Sequence, residues 1–226
     1  MKKILNYSLF LLILLSFSCS NDDKVLEETK PFHEVVIGSL NEALNFTILP
    51  DNMITNTNQT SKEAVVAFND IVKTTSQIVD FLKVPKTTIS STITDKKESF
   101  NWLDNLFGDV VEVNYAVEKQ LDRFSFVYNV SSGNLSLDFL KGNTLLDENA
   151  GVFIINEGSA IGALNWEITD ENIIIELLFE DKTTLVYNKS DRSGTITSEE
   201  VIYKWNKDGK GSFTDNSTNI PVVKTW

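Results

Sequence analysis

The hydrophobic period of this chain changes once, and that change constrains its fold more than any motif does. From Pro31 to about Phe107 apolar residues recur three and four positions apart. Beyond Gly108 they recur at every second position. The first spacing belongs to amphipathic helices and the second to strands covered on one face. Helices followed by a run of strands imply an α+β domain.

Pro31 to Leu49 reads as a first helix, with proline at its start, where a missing N–H costs nothing. Pro50 and the polar run Asp51 to Thr60 read as a loop. A second helix starts at a capping box of Thr60 and Glu63, in which hydroxyl and carboxylate each satisfy a free backbone donor. Ala64, Phe68, Ile71, Val72, Thr75, Ile78, Val79 and Leu82 form its stripe, and Pro85 stops it. Thr87 to Thr94 is rich in β-branched residues and reads as a short strand. Asp95-Lys96-Lys97-Glu98 offers a cap for a third helix reaching about Phe107, with Phe100, Leu103, Phe107 and Val110 on one stripe. Residues 108–122 fit both periods, with extended structure preferred.

From Arg123 the pattern is a meander. Phe124, Phe126, Tyr128 and Val130 alternate with Ser125, Val127 and Asn129, and Ser132-Gly133 makes a turn. Gly142 to Asn149 reads as a loop, and Gly158 to Gly162 as a flexible link. Ile173 to Phe179 is apolar on both sides except at Glu176, which predicts a strand covered on both faces. Asn206-Lys207-Asp208-Gly209 predicts a hairpin turn rather than a calcium loop, because Asp-Gly suits positive φ and the calcium-ligand spacing fails at Lys204. The expected domain has two or three N-terminal helices packed on a curved antiparallel β-sheet, a meander forming an open sheet or partial barrel. Its helical part covers about 31–107 and its β-rich part about 108–226.

Ahead of that domain, Lys2 and Lys3 precede the apolar run Leu9 to Leu15, and Ser18 stands directly before Cys19. A basic start and a short apolar core make a secretory signal over residues 1–18. The run is far short of the roughly 20 apolar residues that span a bilayer. Leu15-Ser16-Phe17-Ser18-Cys19 resembles the looser lipoboxes of Bacteroidota lipoproteins, in which the cysteine is acylated and becomes the first mature residue. The following Ser20-Asn21-Asp22-Asp23 is similar to the acidic start that accompanies surface display in that group. The resemblance implies an outer-membrane lipoprotein, surface-exposed or facing the periplasm, with residues 19–30 as a flexible tether.

Cys19 is the only cysteine, so the domain is stabilised by its core and by no internal disulfide. A net charge of −12 repels nucleic acid and anionic lipid surfaces. The only histidine, His33, reads as a helix-start residue. One histidine and one acylated cysteine leave no Cys-His nucleophile and no zinc set, and no Gly-rich phosphate motif is present. No cofactor or metal is expected.

Two site candidates remain. Glu176 interrupts an apolar strand, and a buried carboxylate there would serve as an acid; paired with a lysine it would be structural. Trp166, Trp205 and Tyr203, with Trp102, Tyr187 and Trp226, would form an aromatic platform for a ligand or else core. The leading expectation is a non-catalytic module binding a protein, a small molecule or a glycan, held to the membrane through acylated Cys19. The alternatives are a carboxylate-dependent hydrolase and a structural or assembly factor of the outer envelope.

Overall fold

The structure, a computed structural model, describes residues 30–106, 108–156, 161–218 and 220–226. The leader, Cys19 and the tether through residue 29 lie outside the described residues, as do Phe107 and most of the expected link at 158–162. Among the described residues three helices come first: α1 (Phe32–Phe46), α2 (Asp51–Ile54) and α3 (Gln59–Phe81). Thirteen strands follow: β1 (Ser90–Ile93), β2 (Lys97–Leu106), β3 (Asp109–Lys119), β4 (Arg123–Ser132), β5 (Leu135–Leu145), β6 (Ala150–Asn156), β7 (Ile161–Ile168), β8 (Asn172–Leu178), β9 (Lys182–Asn188), β10 (Gly194–Thr197), β11 (Val201–Trp205), β12 (Gly211–Asp215) and β13 (Val222–Thr225). All belong to one antiparallel sheet in strict chain order, with β1 and β13 as free edges, so the sheet is not closed. The helices pack on one face of it, as the α+β reading expects.

α3 lies across the strands. Near its start Phe68 meets Tyr187 of β9 and Trp205 of β11, and at its end Phe81 meets Tyr128 of β4 and Phe139 of β5. Its cap is Asn58, whose side chain accepts from the Thr60 N–H at 2.8 Å. The expected capping box is therefore displaced: Thr60 sits in the first turn, and Glu63 accepts from the Gln59 side chain. The expected loop after Pro50 contains α2, and α1 ends at Phe46 rather than Leu49.

The expected helix at 95–107 is strand β2. Glu98, Phe100 and Trp102 are buried on one face, while Leu103 and Val110, assigned to the helical stripe, are 60% and 66% exposed. Gly108, at φ 92°, turns β2 directly onto β3, and ten residue pairs join the two strands. A long ladder with a valine-rich neighbour overrides a helical spacing of four residues. Residues 109–119 are extended, as preferred.

Glu98 still caps a helix, but not the expected one. α1 follows Pro31, which offers no side-chain acceptor. Glu98 of β2 accepts instead from the backbone N–H groups of Phe32 at 2.9 Å and His33 at 3.0 Å, and from His33 Nδ1 at 2.7 Å. One buried carboxylate thus satisfies orphan donors and complements the positive end of the helix. Thr144 ties down the middle of α1 by donating to the Val36 carbonyl. Thr144 lies in β5, so the loop expected at 142–149 begins only after Leu145.

Ile173, Ile175 and Leu177 of β8 point into the core, while Ile174 and Leu178 are half-exposed on the other side. The expectation of two covered faces fails because all the helices lie on one face. The hairpin at 206–209 forms as read, with Gly209 at φ 74° and its N–H bonded to the Asn206 carbonyl. Gly209 also packs on the backbone of Met53 in α2, where a Cβ would lie 2.6 Å from the Met53 nitrogen.

Candidate ligand cleft between α3 and β2

Most of the aromatic residues singled out in the sequence are core. Trp166, Trp205 and Tyr203 are 3%, 4% and 9% exposed, all on the inner face. Trp205 donates its Nε1–H to the Arg192 carbonyl at 2.7 Å and lies edge-on to Phe68. Trp166 packs on Phe153 with ring centroids 4.4 Å apart.

A shared device places these rings. Trp166 lies over Gly151, its partner on β6, and Trp205 over Gly194, its partner on β10. Phe126 covers its partner Gly142, Phe179 covers Gly162, and Trp226 covers Gly211. In each pair an added Cβ would strike the ring, so the missing side chain is the socket for the aromatic one.

Glu176 stands on the outer face of β8. It pairs with Lys182 at 2.5 Å and accepts from Asn165 Nδ2 at 3.0 Å. The Lys182 hydrogen bond outweighs a small desolvation and holds its carboxyl below the usual range. A carboxyl kept ionised has no proton to donate at neutral pH. Glu176, Trp166 and Trp205 are not brought together: the carboxylate faces outward and the indoles inward.

The inner face is not filled everywhere. Where α3 ends, its last turns and β2 border an open cleft of about 490 Å³, lined by Gln77, Asp80, Phe81, Lys83, Pro85, Trp102, Asp104 and Leu106. On the other side of Phe81 lies a smaller apolar chamber of about 190 Å³, which shares Gln77 and Phe81 and is otherwise lined by Thr74, Ile78, Phe139, Leu140, Ile155 and Phe179. A third depression, about 700 Å³ at the ends of β7 to β9, is bordered by Phe179, Glu180 and Asp181.

A bulge builds the floor of the apolar chamber. The β4–β5 register shifts between Tyr128 and Asn129, so that Phe139 is the extra residue and both Phe139 and Leu140 turn inward. Bulges re-aim side chains in this way. Phe139 meets Phe81 edge-on at 5.2 Å. Behind the cleft Tyr128 stands edge-on to Phe81 at 6.4 Å and to Trp102 at 5.7 Å.

The polar groups gather at one side. Lys83 Nζ is 2.6 Å from Asp80 Oδ1, and both side chains are more than half exposed. Asp104 Oδ1 accepts from the Asn105 N–H at 2.7 Å, and Oδ2 accepts weakly from Trp102 Nε1 at 3.4 Å. Among the described residues no cationic side chain pairs with Asp104. Burial, and then the Asp104 carboxylate, raise the Tyr128 phenol far above its ordinary range, so it stays neutral.

Sequence reasoning found Trp102 but missed Phe81, Phe139 and Asp104. The phase change between Phe139 and Leu140, two consecutive large apolar residues in a strand, is the local signal that marks the bulge. Among the described residues no cluster of His, Cys, Asp and Glu is arranged to hold a metal ion, and no helix is long and apolar enough to cross a membrane. No known protein family, curated protein or solved structure matches this chain.

Proposed function

We propose that this chain is a lipid-anchored protein of the cell envelope, held through acylated Cys19, whose folded domain binds a small, largely apolar ligand between α3 and β2. The observation that carries the reading is the aromatic-walled cleft beside Phe81 and Trp102, with its apolar chamber behind. A cavity of this size, mostly apolar with a few convergent polar groups, has the build of a small-molecule site. The lipobox-like Cys19 and the acidic residues after it support the placement.

The neutral probe N-phenyl-1-naphthylamine tests the site. The folded domain is expected to bind about one equivalent with enhanced emission, and Trp102→Leu to weaken binding about fivefold. Leu103→Ser, one residue away and exposed on the opposite face, is expected to change nothing. Absence of probe binding, or equal binding by both variants at unchanged melting temperature, overturns the cleft as the site. Cys19→Ala tests the anchor: full-length protein is expected in the membrane fraction, and the variant as secreted soluble protein or retained with its leader. Wild-type protein that is soluble and unacylated overturns the placement.

A further inference from the structure

The cleft carries more than an apolar wall, and its charge selects among ligands. Its two acids differ. Asp80 is neutralised by Lys83, whereas Asp104 has no cationic partner among the described residues. Asp104 is two residues from Trp102 on the same strand, and among the described residues its donors are the Trp102 indole and the Asn105 backbone. The rings of Phe81 and Trp102 border the same space, with Tyr128 edge-on behind both. Aromatic faces beside an unneutralised carboxylate attract an organic cation by ring quadrupole and charge together. Pro85 and Leu106 extend the apolar lining beside Phe81.

We infer that the cleft recognises an ammonium-bearing amphiphile, with its cationic head between Trp102, Phe81 and Asp104 and its apolar chain along the cleft's own apolar lining of Phe81, Pro85 and Leu106. This rests on the ligand-binding reading above. The head group, not the chain, sets the preference, because an anionic head would face Asp104, and Lys83, the cation in the lining, is already paired with Asp80. The chain's net charge of −12 steers the same class of ligand toward the protein.

The test compares three twelve-carbon amphiphiles below their micelle concentrations: dodecyltrimethylammonium, dodecyl maltoside and dodecyl sulfate. Binding is read by displacement of N-phenyl-1-naphthylamine and by calorimetry. The cationic amphiphile is expected to bind about tenfold tighter than the neutral one, and the anionic one weakest. Asp104→Asn keeps an acceptor for the Asn105 N–H and is expected to remove the cationic preference, so that the cationic and neutral amphiphiles bind alike. Asp191→Asn, a surface acid elsewhere, is expected to leave the preference intact and so separates the cleft from general attraction to an acidic surface. Equal affinity for the three, or a preference that survives Asp104→Asn, overturns the head-group assignment while the cleft stands. Binding of neither the neutral probe nor any amphiphile overturns the ligand-binding reading itself.

Discussion

Trp166 and Trp102 stand on the same inner face of the same sheet, both 3% exposed, yet their surroundings differ in kind. Trp166 fills the socket left by Gly151 on the next strand. Trp102 is paired with Val113, which leaves no socket, and its ring borders the cleft instead. The far end of the sheet repeats the first arrangement, with Trp205 over Gly194 and Trp226 over Gly211, and α3 closes it with Phe68. At the near end α3 stops at Phe81, and two cavities flank that residue. The same residue type, equally buried, therefore fills a glycine socket at one end and borders a cleft at the other. What decides is the partner on the neighbouring strand.

The largest expected effect breaks a socket. Gly151→Val places a branched side chain against the Trp166 indole and the Asn143 carbonyl, and is expected to cost about 3 kcal/mol or more in urea unfolding. Leu106→Phe, which adds volume in the cleft, is expected to cost less than about 1 kcal/mol. Equal costs would erase the distinction between the two ends.

Next is the cap at the cleft end. Glu98→Ala strands the Phe32 and His33 donors and removes a buried hydrogen-bonded carboxylate, an expected loss of about 3 kcal/mol. Protection of the α1 amides in hydrogen exchange is expected to fall with it, and unchanged protection would contradict the cap. Gly209→Ala, at positive φ against the Met53 backbone, is expected to cost about 1–3 kcal/mol by thermal unfolding.

Much of this was legible in sequence, and the failures have a common cause. The α3 stripe, the antiparallel meander from Arg123 onward and the Asp-Gly hairpin are local patterns, and they form. β2 was misread because Phe100 and Leu103 satisfy a helical spacing, while the ladder that makes them extended lies in β3. Glu98 shows the same limit: a capping carboxylate is recognisable by type, but its helix lies 65 and 66 residues away. The aromatic candidates read as core or as a platform, and nothing within Gly151 or Trp166 alone reveals that they are cross-strand partners. The cleft depends on where α3 stops over a bulge in β5, a relation between distant segments.

Smaller effects sharpen the picture. The Tyr115 hydroxyl is buried with no hydrogen-bond partner among the described residues, and burial followed by the Glu98 charge raises its phenol far above the ordinary value. Tyr115→Phe is therefore expected to be neutral or to stabilise by up to about 1 kcal/mol. Tyr115 and Tyr128 hold their protons in the folded state, so the stability they contribute is complete below the ordinary phenol value of 10.0 and is lost as pH rises above it. Unfolding and tyrosinate absorbance are expected to appear together in that alkaline range, and tyrosinate absorbance appearing in still-folded protein would contradict it.

The smallest expected effect is at Glu176. Its depressed folded-state carboxyl contributes stability above the ordinary value of 4.5 that is lost as pH falls further. Glu176→Gln is expected to flatten that acid-side dependence and to cost less than about 1 kcal/mol at neutral pH, as for an exposed ion pair.

The strict chain order of the sheet has a kinetic consequence. The helices are made first and covered last. Phe68 waits for Tyr187 and Trp205, and the Tyr187 hydroxyl closes on the Ile48 backbone across 139 residues of chain. Until β9 to β11 exist, the apolar stripe of α3 has no wall to meet at its N-terminal half. Such long-range closure slows folding and leaves a sticky intermediate during synthesis. A nascent chain halted before β9 should therefore be bound by general chaperones, and one carried through β12 should release them.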